Sequence, residues 1–128
     1  MKVKLNSVNH FHTVFKIGEA PKEPTLIPYR ESRLRFDLMT EETCEYLEAC
    51  QNDDLIEIAD ALGDQLYILC GTILKHGLQH KIDDIFNEIQ RSNMSKLDEN
   101  GKPIFREDGK VLKGKNYFKP NLKKILDV

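Results

Sequence analysis

The sequence predicts an all-α protein: a bundle of helices followed by a small C-terminal β-hairpin. Two long stretches, from about Glu31 to Gln51 and from about Asp54 to His76, keep apolar residues at helical spacing and contain no proline. Only Asn52, Asp53 and Asp54 form the connection between them, and so short a link makes the two helices antiparallel neighbours. Beyond Asn93 the texture changes. There the Asp108-Gly109 pair lies between the short runs PIFR and KVLK, a pattern suited to a tight hairpin.

Taken in order, Asn6 or Ser7 can cap a first helix whose Val8, Phe11 and Phe15, with Val14 on a flank, repeat at helical spacing until Gly18 ends it. The following segment, GEAPKEPTLIP, holds three prolines and is a connector. In the first long helix the inward stripe is expected to run through Leu34, Leu38, Glu41 or Glu42, Glu45 and Ala49. An Asn or Asp of the link can cap the next helix. That helix carries a ridge of Leu55, Ala59, Leu62, Leu66, Leu69 and Ile73, and Gly77 offers its C-terminal cap. Gly63 and Gly71 lower its propensity, which suggests close approach by another helix or a ligand. A further helix from about Lys81 to Asn93 aligns Ile82, Ile85, Phe86 and Ile89, and Pro120 precedes a last helical turn.

A chain of 128 residues is expected to form one domain, with a helical core over about 5–95 and a hairpin and tail over about 97–128. No apolar run reaches the roughly 18 residues that a membrane span needs. The first residues, MKVKLNSVNHF, lack the hydrophobic core of a signal peptide. Cys44, Cys50 and Cys70 have no metal-type spacing, and an odd count suits free thiols, so a cytoplasmic protein is expected. The formal net charge of -2 conceals a division: residues 1–90 hold 9 Lys and Arg against 16 Asp and Glu, whereas residues 91–124 hold 10 against 4. An acidic body with a basic segment suits a metal site joined to phosphate-binding groups.

The stretch Thr40–Asp64 concentrates the chemistry. Residues three apart on a helix share a face, so Glu42 with Glu45, and Glu57 with Asp60, are two carboxylate pairs on consecutive helices. Clustered carboxylates repel and raise one another's pKa unless a cation neutralises them. Hard divalent ions with oxygen ligands, Mg²⁺ or Mn²⁺, are the natural partners.

These residues resemble a known family. ExxE at Glu42–Glu45 followed by ExxD at Glu57–Asp60 is similar to the motif of the all-α nucleoside triphosphate pyrophosphohydrolases, the MazG-like and phosphoribosyl-ATP pyrophosphohydrolase-like proteins. The words LMTEETCEYLEA, EIADALGDQLYILCG and SNMSKLDENGKPIFREDGKVLKG extend the resemblance from Arg33 to Leu122. It implies a helical bundle, commonly a homodimer or homotetramer, with Glu42, Glu45, Glu57 and Asp60 as Mg²⁺ ligands. It also implies hydrolysis of a nucleotide substrate to the monophosphate and pyrophosphate. Only 11 residues separate Glu45 from Glu57, a short gap for the family. Glu41, one residue before the ExxE, is the candidate for the catalytic base or for an additional metal contact.

Other residues admit two readings each. Asp64, one turn after Asp60, is either a substrate or metal contact or an exposed acid. Asn93 and Lys96 are candidates for substrate binding, although a helix C-terminus also accounts for a basic residue there. The basic hairpin with Tyr117 and Phe118 is read as a solvated or subunit surface, with no nucleic acid partner, because four acids are interleaved. His10, His12, His76 and His80 lie on separate elements or straddle Gly77, against a zinc site. A di-iron bundle would need ExxH motifs, and no Glu stands three residues before any histidine. The competing function is a helical interaction protein that has lost catalysis.

Overall fold

The computed structural model describes residues 1–128, as five helices in two compact units, Met1–His80 and Lys81–Val128. In the first unit α1 spans Lys2–Val14, α2 Tyr29–Gln51 and α3 Leu55–Lys75. In the second, α4 spans Ile82–Met94 and α5 Leu122–Leu126.

α1 begins four residues before the expected cap, and Ser7 lies inside it with its Oγ donating to the Val3 carbonyl. Its buried face is Leu5, Val8 and His12, a three-then-four-residue phase that leaves Phe15 64% exposed. The expected phase weighted aromatic residues and missed a buried histidine. Phe11 instead meets the Tyr67 ring of α3 edge-on, with centroids 5.7 Å apart.

The connector between α1 and α2 is strapped to the end of α3. Thr25 N–H donates to the His76 carbonyl at 2.9 Å, Gln79 Nε2 to the Pro21 carbonyl at 2.7 Å, and Lys75 Nζ to the Ile17 carbonyl at 2.8 Å. Gly77 makes this possible: its φ is +65°, and a Cβ would collide with the Glu23 carbonyl.

α2 and α3 run antiparallel, as the short link requires. Asp54 caps α3 by accepting from the Glu57 N–H at 3.1 Å. The inward face of α2 steps through Arg35, Glu42 and Ala49, two turns apart, and Arg35 and Ala49 are buried. Leu34, expected on that face, is 56% exposed. The face is shifted by one residue because a buried arginine takes the place that an apolar pattern assigns to leucine. Opposite it, α3 presents Ala61, Asp64, Ile68 and Thr72. The interface therefore has layers: the small buried pair Ala49 and Ala61, then Glu42 with Asp64, then Arg35 bonded to α3.

Much of the expected α3 ridge is uncovered within the unit. Leu55, Leu62, Leu66 and Leu69 are all exposed, whereas Ile73 and Leu74 are buried in the core with Leu5, Val8 and Cys70.

In the second unit the tail folds back on α4. The buried Ser92 Oγ donates to the Phe118 carbonyl at 2.8 Å, Phe118 N–H donates to Ser95 Oγ, and Asn121 N–H donates to Glu88 Oε1. The Arg91 guanidinium lies 4.3 Å from the centre of the Phe118 ring. The expected β-hairpin is not formed as a pair of strands. One antiparallel bridge, Phe105 to Val111, brackets the Asp108-Gly109 turn, with Arg106 N–H bonded to the Lys110 carbonyl and Leu112 N–H to Ile104. The ladder stops there: the next donors, Lys102 N–H and Gly114 N–H, bond instead to Asp98 Oδ1 and the Lys96 carbonyl, and an isolated two-stranded ribbon is marginal without a sheet or helix to cover it.

Candidate active site

Each carboxylate is fixed by its helix. Glu42 and Glu45 stand one turn apart on α2, and Asp64 stands on α3 directly across from Glu42. One oxygen from each of the three lies within 4.8 Å of the others. The neighbouring side chains hold this register: Gln65 Nε2 donates to Thr43 Oγ1 at 3.2 Å across the same helix pair.

Glu42 is the pivotal group. Its Oε2 is buried with no hydrogen-bond partner. Burial pushes its carboxyl up to about 7, helped by a hydrogen bond with Glu45 and by the negative charges of Glu45, Asp64 and Glu41. A buried acceptor without a donor costs free energy, on the order of 1–3 kcal/mol. A cation between the three carboxylates would supply what the protein does not, so these residues fit a divalent metal with oxygen ligands.

Beside this cluster lies a polar cleft of about 370 Å³, lined by Glu45, Glu48, Ala49, Asn52, Asp54, Glu57, Asp60 and Ala61. Glu45 belongs to both the cluster and the cleft. Glu57 and Asp60, from the second acidic pair, line the cleft and are not part of the close group of three. The small Ala49 and Ala61 side chains, 5% and 2% exposed, form its floor. Glu41 is exposed, adjacent in sequence to Glu42. Asn93 and Lys96 belong to the second unit, at the end of α4, where the Lys96 carbonyl accepts from Gly114 N–H at 2.9 Å.

Three polar cleft residues, Glu48, Asn52 and Asp54, are not among the site candidates that the sequence gives. Glu48 continues the Glu42, Glu45 stripe by another three residues, a signal that was available. Asn52 gave none, because a link residue is ordinarily read for its backbone.

The fold and the site together define an all-α protein with a carboxylate cluster built across an antiparallel helix pair. The profile of the phosphoribosyl-ATP pyrophosphohydrolase family matches residues 8–93, and the chain belongs to that family. It is also similar to a solved structure from Exiguobacterium sp. 255-15 described as a "putative NTP pyrophosphohydrolase". That likeness has 26% identity and a TM-score of 0.50, over 94% of this chain and 90% of the other. No match is found among curated proteins. Family and structural neighbour together support a pyrophosphohydrolase activity.

Proposed function

We propose that the protein hydrolyses a nucleoside triphosphate, or a related nucleotide, to the nucleoside monophosphate and pyrophosphate in a Mg²⁺-dependent reaction, with Mn²⁺ able to substitute. The observation that carries this reading is the Glu42, Glu45 and Asp64 group with its orphaned buried oxygen, opening beside a cleft lined by Glu57 and Asp60.

Glu42, Glu45 and Asp64 would hold the ion, with Glu57 and Asp60 completing the donor set along the cleft. When bound, a divalent cation neutralises charge on the phosphoanhydride and lowers the pKa of water. Water is the attacking group, since no serine, cysteine or lysine stands beside a base in the cluster. The water oxygen bonds to phosphorus, the anhydride bond breaks, and pyrophosphate leaves. Glu41 is the candidate to receive the water's proton. Asn93 and Lys96 are proposed to meet the nucleotide or its phosphates.

The exposed apolar stripe Leu55, Leu62, Leu66 and Leu69 supports a homodimer or homotetramer, because contiguous apolar patches of that kind mark contact surfaces. No helix is long and apolar enough to cross a membrane. The test of the reaction is a panel of ribo- and deoxyribonucleotides assayed for pyrophosphate release with Mg²⁺ and with chelator. Pyrophosphate and monophosphate are expected; orthophosphate and diphosphate nucleotide would refute the assignment.

A further inference from the structure

Arg35 is buried in the helix interface, 7% exposed, with no carboxylate partner. Its guanidinium bonds only to α3: Nη2 donates to the Ile68 carbonyl at 2.8 Å and Nε to Thr72 Oγ1 at 3.1 Å. Thr72 Oγ1 in turn donates to the same Ile68 carbonyl at 3.0 Å, so the receiving hydroxyl is itself fixed. Gly71 gives the guanidinium room, because a Cβ there would meet Arg35 Nη2 and the His12 ring of α1. An unpaired buried charge is costly, and a leucine would fill the same face without that cost. Stability alone does not account for an arginine here.

Its position does. Arg35 and Glu42 occupy the same face of α2 two turns apart, about 10 Å along the axis. On α3, Thr72 and Asp64 are separated by a little over two turns in the opposite direction. Apolar ridges tolerate sliding and rotation of one helix on another, but a planar fork on a carbonyl and a hydroxyl has one geometry. We infer that Arg35 is a positioning residue: its fork on Ile68 and Thr72 fixes the axial register of α2 on α3, and that register brings Asp64 to Glu42 and Glu45. It acts through the helices and touches neither the ion nor the substrate. Gly71 belongs to the device as the space it requires.

The inference rests on the proposed metal site, and the test separates the two. Mn²⁺ binding is measured by calorimetry and by loss of the free-ion electron paramagnetic resonance signal, on the full chain, for wild type, Arg35→Met, Thr72→Val and Leu5→Ala. Leu5 is a buried α1 residue, so its truncation lowers the melting temperature without touching the fork. Arg35→Met is expected to weaken Mn²⁺ binding about tenfold, the scale at which residues supporting metal ligands act. Thr72→Val should weaken it less, and Leu5→Ala should leave it unchanged despite its lower melting temperature. Arg35→Lys should restore little, because an ammonium lacks the planar fork. Unchanged binding in Arg35→Met, or an equal loss in Leu5→Ala, would overturn the inference. If Arg35→Met does not fold, the comparison of Thr72→Val with Leu5→Ala decides. Absence of Mn²⁺ binding by the wild type would instead overturn the metal site itself, and this inference with it.

Discussion

Glu42 and Glu88 are both helix glutamates beside other charged groups, and their surroundings push them in opposite directions. Glu88 receives a two-pronged bond from Arg91 and the Asn121 N–H, which hold its carboxyl down to about 2. Glu42 is partly buried against Glu45 and Asp64, keeps one oxygen without a partner, and is pushed up to about 7. The first carboxylate is complete within its own unit, where it anchors the tail to α4. The second is incomplete without something positive. A carboxylate's role here is set less by its exposure than by whether the fold supplies its donors.

The comparison is broken most severely by removing the charge at Glu42. Glu42→Gln is expected to lower pyrophosphate release more than about 100-fold, since losing a ligand should exceed the effect of losing a ligand's support. Circular dichroism should find the helical content unchanged. Glu88→Gln should leave turnover near wild type, and an equal loss in both variants would erase the distinction.

The next largest effect is on stability in the presence of metal. Free Mg²⁺ at about 100 times its dissociation constant should raise the unfolding free energy by about 2.7 kcal/mol in the wild type. Denaturant titration should find almost none of this in a Glu45→Gln, Asp64→Asn double variant. Repeating the titration with Asp60→Asn sharpens the division between the close group and the cleft wall, because its loss should be smaller than that of Asp64→Asn.

A third, smaller effect is in pH dependence without metal. The folded Glu42 retains its proton between the ordinary 4.5 and about 7, where the unfolded chain has released it. Its contribution is therefore full below the ordinary value and is lost as pH rises through about 7. Glu88 has the opposite sign: its contribution is present above the ordinary 4.5 and is lost as pH falls through about 2. Melting curves of ion-free protein should lose stability from pH 5 to 7, and Glu42→Gln should remove that slope. Because the proton competes with the ion, Mg²⁺ stabilisation should be greater at pH 8 than at pH 6.

The smallest effect is local. Glu88→Gln weakens its contacts with Arg91 and Asn121, so hydrogen exchange should quicken at residues 118–126 and remain unchanged in α2 and α3.

Much of this arrangement was legible in the sequence. The two acidic pairs, the short link that makes their helices antiparallel, a capping Asn or Asp within that link and the Gly77 turn all follow from spacing and local backbone chemistry. The phase of α2 was not legible, because hydrophobic periodicity has no place for Arg35 on an inward face and Leu34 fitted the apolar pattern better. The position of Asp64 beside Glu42 depends on the axial register of two helices, which their separate periodicities do not fix. The runs PIFR and KVLK mark the turn they flank, but strand formation depends on covering partners, which a local pattern cannot reveal. The return of the tail to Ser92, Ser95 and Glu88 rests on single hydrogen bonds between residues 23 to 33 positions apart, with no repeating pattern to announce it.

Crystals grown with Mn²⁺ test the central claim most directly, through an anomalous difference map that locates the ion without assuming its ligands. The expected result is a peak bonded to Glu42, Glu45 and Asp64, with the formerly unpartnered Oε2 of Glu42 among its ligands. A fully occupied peak held by other residues with Glu42 left out, or no peak at millimolar Mn²⁺ and pH 8, would contradict the account.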